Sequence, residues 1–83
     1  MNARIVLFHL NEALEELQRT VKELQEDNSY EVEELQVAMG HIYHHLNTAR
    51  NGRNCTDQEH EECSDENFRS WRRFPKESEL FLD

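Results

Sequence analysis

Between Leu7 and Leu24 the apolar residues Leu7, Leu10, Leu14, Leu17, Val21 and Leu24 recur at spacings of three, four, three, four and three. A seven-residue repeat of this kind draws one apolar seam along a helix, and such a seam is satisfied by the side of another helix. The surrounding residues are Ala, Leu, Glu, Gln, Lys and Arg, all good helix formers, with no Gly or Pro among them. The pattern predicts a helix over about 3–26. Its outer face carries Glu12, Glu15, Glu16, Arg19, Lys22, Glu23 and Glu26, with Glu15 and Arg19 in the favourable i,i+4 order.

The seam does not continue in phase. Strict extension places Asn28 and Glu31 in the core, whereas the apolar set restarts at Val32, Leu35, Met39, Ile42, Leu46 and Ala49. The break falls on Asp27-Asn28-Ser29, residues that favour turns and caps because their side chains compete for backbone hydrogen bonds. Asn28 is placed to cap a second helix, with Glu31 three residues on. The expectation is a tight turn and a second helix over about 29–50, folded back so that Leu24 meets Val32, and Leu7 and Leu10 meet Leu46 and Ala49. Gly52 is placed for a left-handed residue closing that helix. Gly40, on its outer face, suits either a close backbone approach or a tolerated surface position.

Thr56 followed by Glu59 is a capping-box signature, and the acidic run from Asp57 to Glu66 ahead of Arg69, Arg72 and Arg73 suits the helix dipole. These features predict a third helix over about 57–73, interrupted near Ser64 and ended by Pro75. Residues 75–83 read as an irregular tail. The fold class expected is all-α: an antiparallel two-helix hairpin with a short third helix, in one small domain over 1–83, pairing into a four-helix bundle as a homodimer.

Composition limits the functional classes. With 83 residues, 36% hydrophobic and 33% charged, the chain buries a small core, and no apolar run approaches the ~20 residues of a membrane helix. The net charge of -9 opposes binding to phosphate backbones, so no nucleic-acid role is expected, and the cysteine count of 2 is too low for a disulfide scaffold. A cytoplasmic location is expected.

The residues able to do chemistry are few. His41, His44 and His45 cluster in the second helix, and Cys55, His60 and Cys63 follow in a C-x4-H-x2-C arrangement. A tetrahedral zinc site can be drawn from Cys55, His60, Cys63 and His45, although the spacing matches no established zinc-finger or ribbon pattern. The plainer expectation is free thiols, with His44 exposed and His45 bordering the seam. Acidic surroundings oppose thiolate formation, and no glycine-rich phosphate loop is present, so no enzyme activity is nominated.

Ile5 and Phe8 lie on the side of the first helix opposite its seam and need cover, for which Phe68, Trp71 and Phe74 are the expected source. These five residues, with Leu80, Phe81 and Leu82, form the candidate interaction surface. The functional expectation is a small non-enzymatic helical interaction or assembly module whose partner is a protein, including a second copy of itself. The alternatives are a zinc-binding helical module, and an acidic inhibitor engaging a basic protein through Asp57 to Glu66.

Overall fold

The computed structural model describes residues 1–80; Phe81, Leu82 and Asp83 lie outside the described residues. The described residues form helices and connecting turns, with no strand among them. Two long helices, α1 (Ala3–Glu26) and α2 (Val32–Asn51), pack against each other, and α3 (Asp57–Glu62), α4 (Asp65–Trp71) and α5 (Glu77–Leu80) follow.

Helix α1 starts at Asn2, whose side-chain oxygen accepts from the Ile5 backbone N–H, and it closes at Asp27, whose N–H donates to the Glu23 carbonyl. The turn is built on Asp27: its Oδ1 accepts from the Ser29 N–H at 2.9 Å and from the Ser29 hydroxyl at 2.6 Å. These bonds favour the ionised carboxylate and hold its pKa below the ordinary value. Asn28 does not cap α2. Glu31 takes the cap position, its N–H donating to the Glu34 carboxylate at 2.8 Å, so α2 begins at Val32 rather than residue 29. The cap therefore lies three residues beyond Asn28, which belongs to the turn.

The hairpin does not pack through the leucine seam. Its interior is Ile5, His9, Ala13 and Thr20 of α1 against Ala38, Ile42 and Ala49 of α2. Leu7, Leu10, Leu14, Leu17, Val21 and Leu24 are all 43–57% exposed, and Val32 and Leu46 are exposed with them. The expected contacts of Leu24 with Val32, and of Leu7 and Leu10 with Leu46 and Ala49, are therefore corrected. Small side chains at 13, 38 and 49 suit a close helix approach. Side-chain pairs across the helices fix the rotation: His9 meets His45, and Glu16 lies 3.4 Å from His41. Arg19 pairs with Glu16 at 2.7 Å, not with Glu15.

Gly52 closes α2 at φ -96°, outside the left-handed region expected of it. Its requirement is spatial. A Cβ there would stand 2.9 Å from the Thr48 carbonyl oxygen and 3.5 Å from the Trp71 ring.

The capping box of Thr56 and Glu59 opens α3 as the sequence predicts. The expected third helix is two helices: the chain turns at Cys63, in the left-handed region with φ 41° and ψ 67°, and Ser64 caps α4 by accepting from the Asn67 N–H at 3.1 Å. Two asparagines of α2 bind the end of α4. Asn47 donates to the Arg72 carbonyl at 3.2 Å, and Asn51 donates to the carbonyls of Trp71 at 2.9 Å and Arg73 at 2.7 Å. The tail is not wholly irregular, since Glu77–Leu80 forms one helical turn and Arg50 reaches Glu79 at 3.2 Å. No helix among the described residues is long and apolar enough to cross a membrane.

Candidate functional site

Two features stand out from the hairpin: an open apolar face and a chain of histidines.

The open face follows from helical geometry. At 100° per residue, the leucine stripe of α1 lies beside the surface that meets α2. On α2, Val32, Leu35, Met39 and Leu46 fall on that same side, away from the flank where Glu16 meets His41. Leu35 and Met39 are half-buried, while Val32 and Leu46 are exposed. Helices α3 and α4 cover other surfaces: Trp71 sits against Gly52, Phe68 lies near His44, and Phe74 lies near Tyr43. Along its free edge the stripe is bordered by Asn11, Gln18 and Gln25, which are uncharged. A shallow groove lined by Leu17, Gln18, Val21, Lys22 and Gln25 runs on this part of α1.

The expected aromatic cover is rearranged. Ile5 is buried, at 1% exposure, within the hairpin surface itself. Phe8 remains half exposed and stands edge-on to His9 and His60, with centroids 5.0 and 6.0 Å away. Phe68, Trp71 and Phe74 spread along α2 instead of gathering over Ile5 and Phe8, because the asparagine bonds to α4 fix that helix on α2. Only Trp71 of the three is buried. Leu80 is exposed, and Phe81 and Leu82 lie outside the described residues.

The histidine chain joins three helices. His9 of α1 faces His45 of α2 through their Nδ1 atoms at 3.0 Å, and faces His60 of α3 through their Nε2 atoms at 2.9 Å. Burial, reinforced by His45, His60 and His44, lowers the His9 pKa to about 4. His44, half-buried rather than exposed, is also lowered, first by burial and then by His45, Arg72 and His41. Behind the chain lies a cavity of ≈ 130 Å³ lined by His9, His44, Thr48, His60, Cys63, Phe68 and Trp71. Thr48 Oγ1 is buried there with no hydrogen-bond partner among the described residues.

The candidate zinc ligands are thus distributed unevenly. His45 and His60 are connected through His9, which the sequence did not single out, and Cys63 lines the cavity beside His60. Cys55 stands apart, with its carbonyl bound by Asn2 and its thiol pKa pushed up by burial and by Glu59 and Asp57. Among the described residues, no group of three or more His, Cys, Asp or Glu side chains converges as a metal-binding cluster. The reason is visible in His9, which directs its two ring nitrogens to different neighbours. His9 was hidden in the sequence because it is a lone polar residue in the apolar run Ile5–Leu10. The available signal was its spacing of four from both Ile5 and Ala13, which places it on the buried face.

No protein-family model, curated protein or solved structure matches this chain.

Proposed function

We propose that the chain is a non-enzymatic assembly module that pairs with a second copy of itself through the open face, forming a four-helix bundle. The observation supporting this reading is the exposure of all six heptad residues from Leu7 to Leu24, while the hairpin packs through a different surface of α1. A seven-residue repeat is complementary to another such repeat, and a two-fold axis lets one stripe serve as both partners.

Charge and area favour a second copy as the occupant. A chain of net charge -9 repels its own copies, so a self-interface needs an uncharged border. Asn11, Gln18 and Gln25 provide one, interrupted only by the cation Lys22, which does not add to the repulsion, whereas a stripe made for a basic partner would be edged with carboxylates. The α1 stripe exposes on the order of 500 Å² per copy, and two copies with the α2 flank reach the ~1,200 Å² at which specific interfaces begin. The zinc and acidic-inhibitor readings have no observation of comparable weight.

Sedimentation equilibrium on the full chain and on a Leu14→Glu/Leu17→Glu variant tests the proposal. The wild type is expected to be dimeric at micromolar concentration, and the variant monomeric with the same helicity per residue. A monomeric wild type at high micromolar concentration overturns self-pairing. A dimer that survives both substitutions overturns the choice of face.

A further inference from the structure

We infer that the chain His45–His9–His60 is an acid-released latch that holds α3 on the hairpin, with His60 stacked on Trp71, and lets it go when it takes up a second proton. The inference is independent of self-pairing, since the chain lies away from the leucine stripe.

The proton count follows from the geometry. Three neutral imidazoles carry three N–H groups, and each close nitrogen pair needs one hydrogen between its members. In the neutral chain, His45 Nδ1–H donates to His9 Nδ1, His9 Nε2–H donates to His60 Nε2, and the third N–H points outward from His60 Nδ1. Both contacts are satisfied. One added proton is also accommodated. If His60 holds it, His60 Nε2–H donates to His9 Nε2, His9 Nδ1–H donates to His45 Nδ1, and the direction of the chain reverses. A second added proton has no such solution. With both end residues charged, each points an N–H at His9, which must keep a hydrogen on one of its two nitrogens. At one junction two hydrogens then oppose each other across about 3 Å, while the two charged end residues repel each other across His9. One contact breaks.

The weaker attachment determines which. His9 and His45 stand on helices packed along their length, whereas α3 has no buried residue and α4 has only Trp71. The link of His9 to His60 is the one to open. The other groups facing the chain set where this happens. Glu12, Glu15 and Glu16, with Arg19 and His41, line the groove beside His45. Asp57, paired with Arg4, lies on His60's own helix, and Arg72 approaches His44 from the end of α4. Cys63 shares the cavity with His60. At His9 the neighbouring imidazoles oppose added charge, and at His44 Arg72 does so as well.

Trp71, the single tryptophan, stacks on the His60 ring with centroids 6.3 Å apart and reports the departure of α3 directly. A titration of the full chain from pH 7.5 to pH 4 is followed by Trp71 emission maximum and acrylamide quenching, alongside far-ultraviolet circular dichroism. The expected result is a red shift and at least twofold stronger quenching below pH 6, with most of the helical signal retained. In His60→Gln the amide can donate or accept at His9 without gaining charge, so the Trp71 transition moves down by at least half a pH unit or disappears. His41→Gln, outside the chain, leaves the midpoint in place. If His60→Gln already exposes Trp71 at pH 7.5, His45→Gln makes the same test from the other end. An unchanged midpoint in the informative end variant overturns the latch, as does a Trp71 signal that is flat to pH 4 or that falls together with the entire helical signal.

Discussion

Asn2 Nδ2 donates to the Cys55 carbonyl at 2.9 Å, joining the first turn of α1 to the segment that leads into α3. The same amide nitrogen donates to Asp57 Oδ1 at 2.9 Å, and the side-chain oxygen accepts from the Ile5 N–H at 3.4 Å. Asp57, which also meets Arg4 at 2.8 Å, is held below its ordinary pKa chiefly by the bond from Asn2. One side chain therefore caps a helix and fastens a loop. Asn2→Ala is expected to cost about 1–3 kcal/mol by urea unfolding, the loss of a cap plus a part-buried hydrogen bond. Asn2→Asp, which keeps the cap oxygen but places a charge beside Asp57, is expected to recover less than half of that.

The two glycines of α2 and its cap make opposite predictions. At Gly40 a Cβ meets nothing within 4 Å, so no backbone approaches it within the described chain. Gly40→Ala should stabilise the protein by about 0.5–1 kcal/mol, the propensity gain of a solvent-facing helix position. At Gly52 the added methyl would press on the Thr48 carbonyl, and Gly52→Ala should cost about 1–3 kcal/mol. Thermal unfolding of the pair measures both, and equal shifts for the two would contradict this geometry.

Cys63 is the one non-glycine described residue with positive φ. A left-handed conformation strains a side chain with a Cβ, and glycine removes the strain at some cost in unfolded-chain entropy. Cys63→Gly is expected to raise stability by about 0.5–1 kcal/mol in denaturant titrations, where a loss would show that the thiol's place in the cavity outweighs the strain.

The buried histidine makes stability depend on acid. His9 has its pKa lowered to about 4 from 6.5 by burial and by the neighbouring imidazoles. Between those values the unfolded chain binds a proton that the folded chain refuses, so protonation favours unfolding. The stabilisation is complete above pH 6.5, falls as pH drops through this window, and is spent below about pH 4. The total is on the order of 3 kcal/mol. His9→Phe or His9→Leu should flatten the curve of unfolding free energy between pH 6.5 and 4, and a variant with the wild-type slope would remove His9 as its source.

The sequence made the helices legible because composition and capping chemistry are local. The bounds of α1, the Thr56–Glu59 box and the break at Ser64 all follow from neighbours within a few residues. The choice of packing face was not legible in the same way. α1 has two surfaces that another helix can use: a broad leucine stripe, and a narrower one containing Ile5, His9, Ala13 and Thr20. Apolar content favours the first. Close approach at Ala13, Ala38 and Ala49, and the meetings of His9 with His45 and Glu16 with His41, select the second. Those pairings lie between residues far apart in the chain, and no periodicity announces them. The candidate chemical set was half visible for the same reason: His45 and His60 are conspicuous among other histidines, while the residue linking them stands alone in an apolar run.

The unsatisfied stripe leads to a prediction about concentration. If two copies cover Leu7, Leu10, Leu14, Leu17, Val21 and Leu24 for each other, folding and association are linked, and the unfolding temperature depends on protein concentration. A tenfold increase contributes about 1.4 kcal/mol per dimer by mass action, expected to raise Tm by roughly 2–5 °C. The Leu14→Glu/Leu17→Glu variant should show no such dependence and should melt near the dilute-limit temperature of the wild type. Its two substituted positions are about half exposed in the isolated hairpin, so replacing them removes little intramolecular packing. Added salt screens the repulsion between two chains of charge -9 and should strengthen the concentration dependence of the wild type, whereas an interface with a basic partner would weaken. A wild-type Tm independent of concentration over two decades, at either salt level, would show that the stripe is not covered by a second copy.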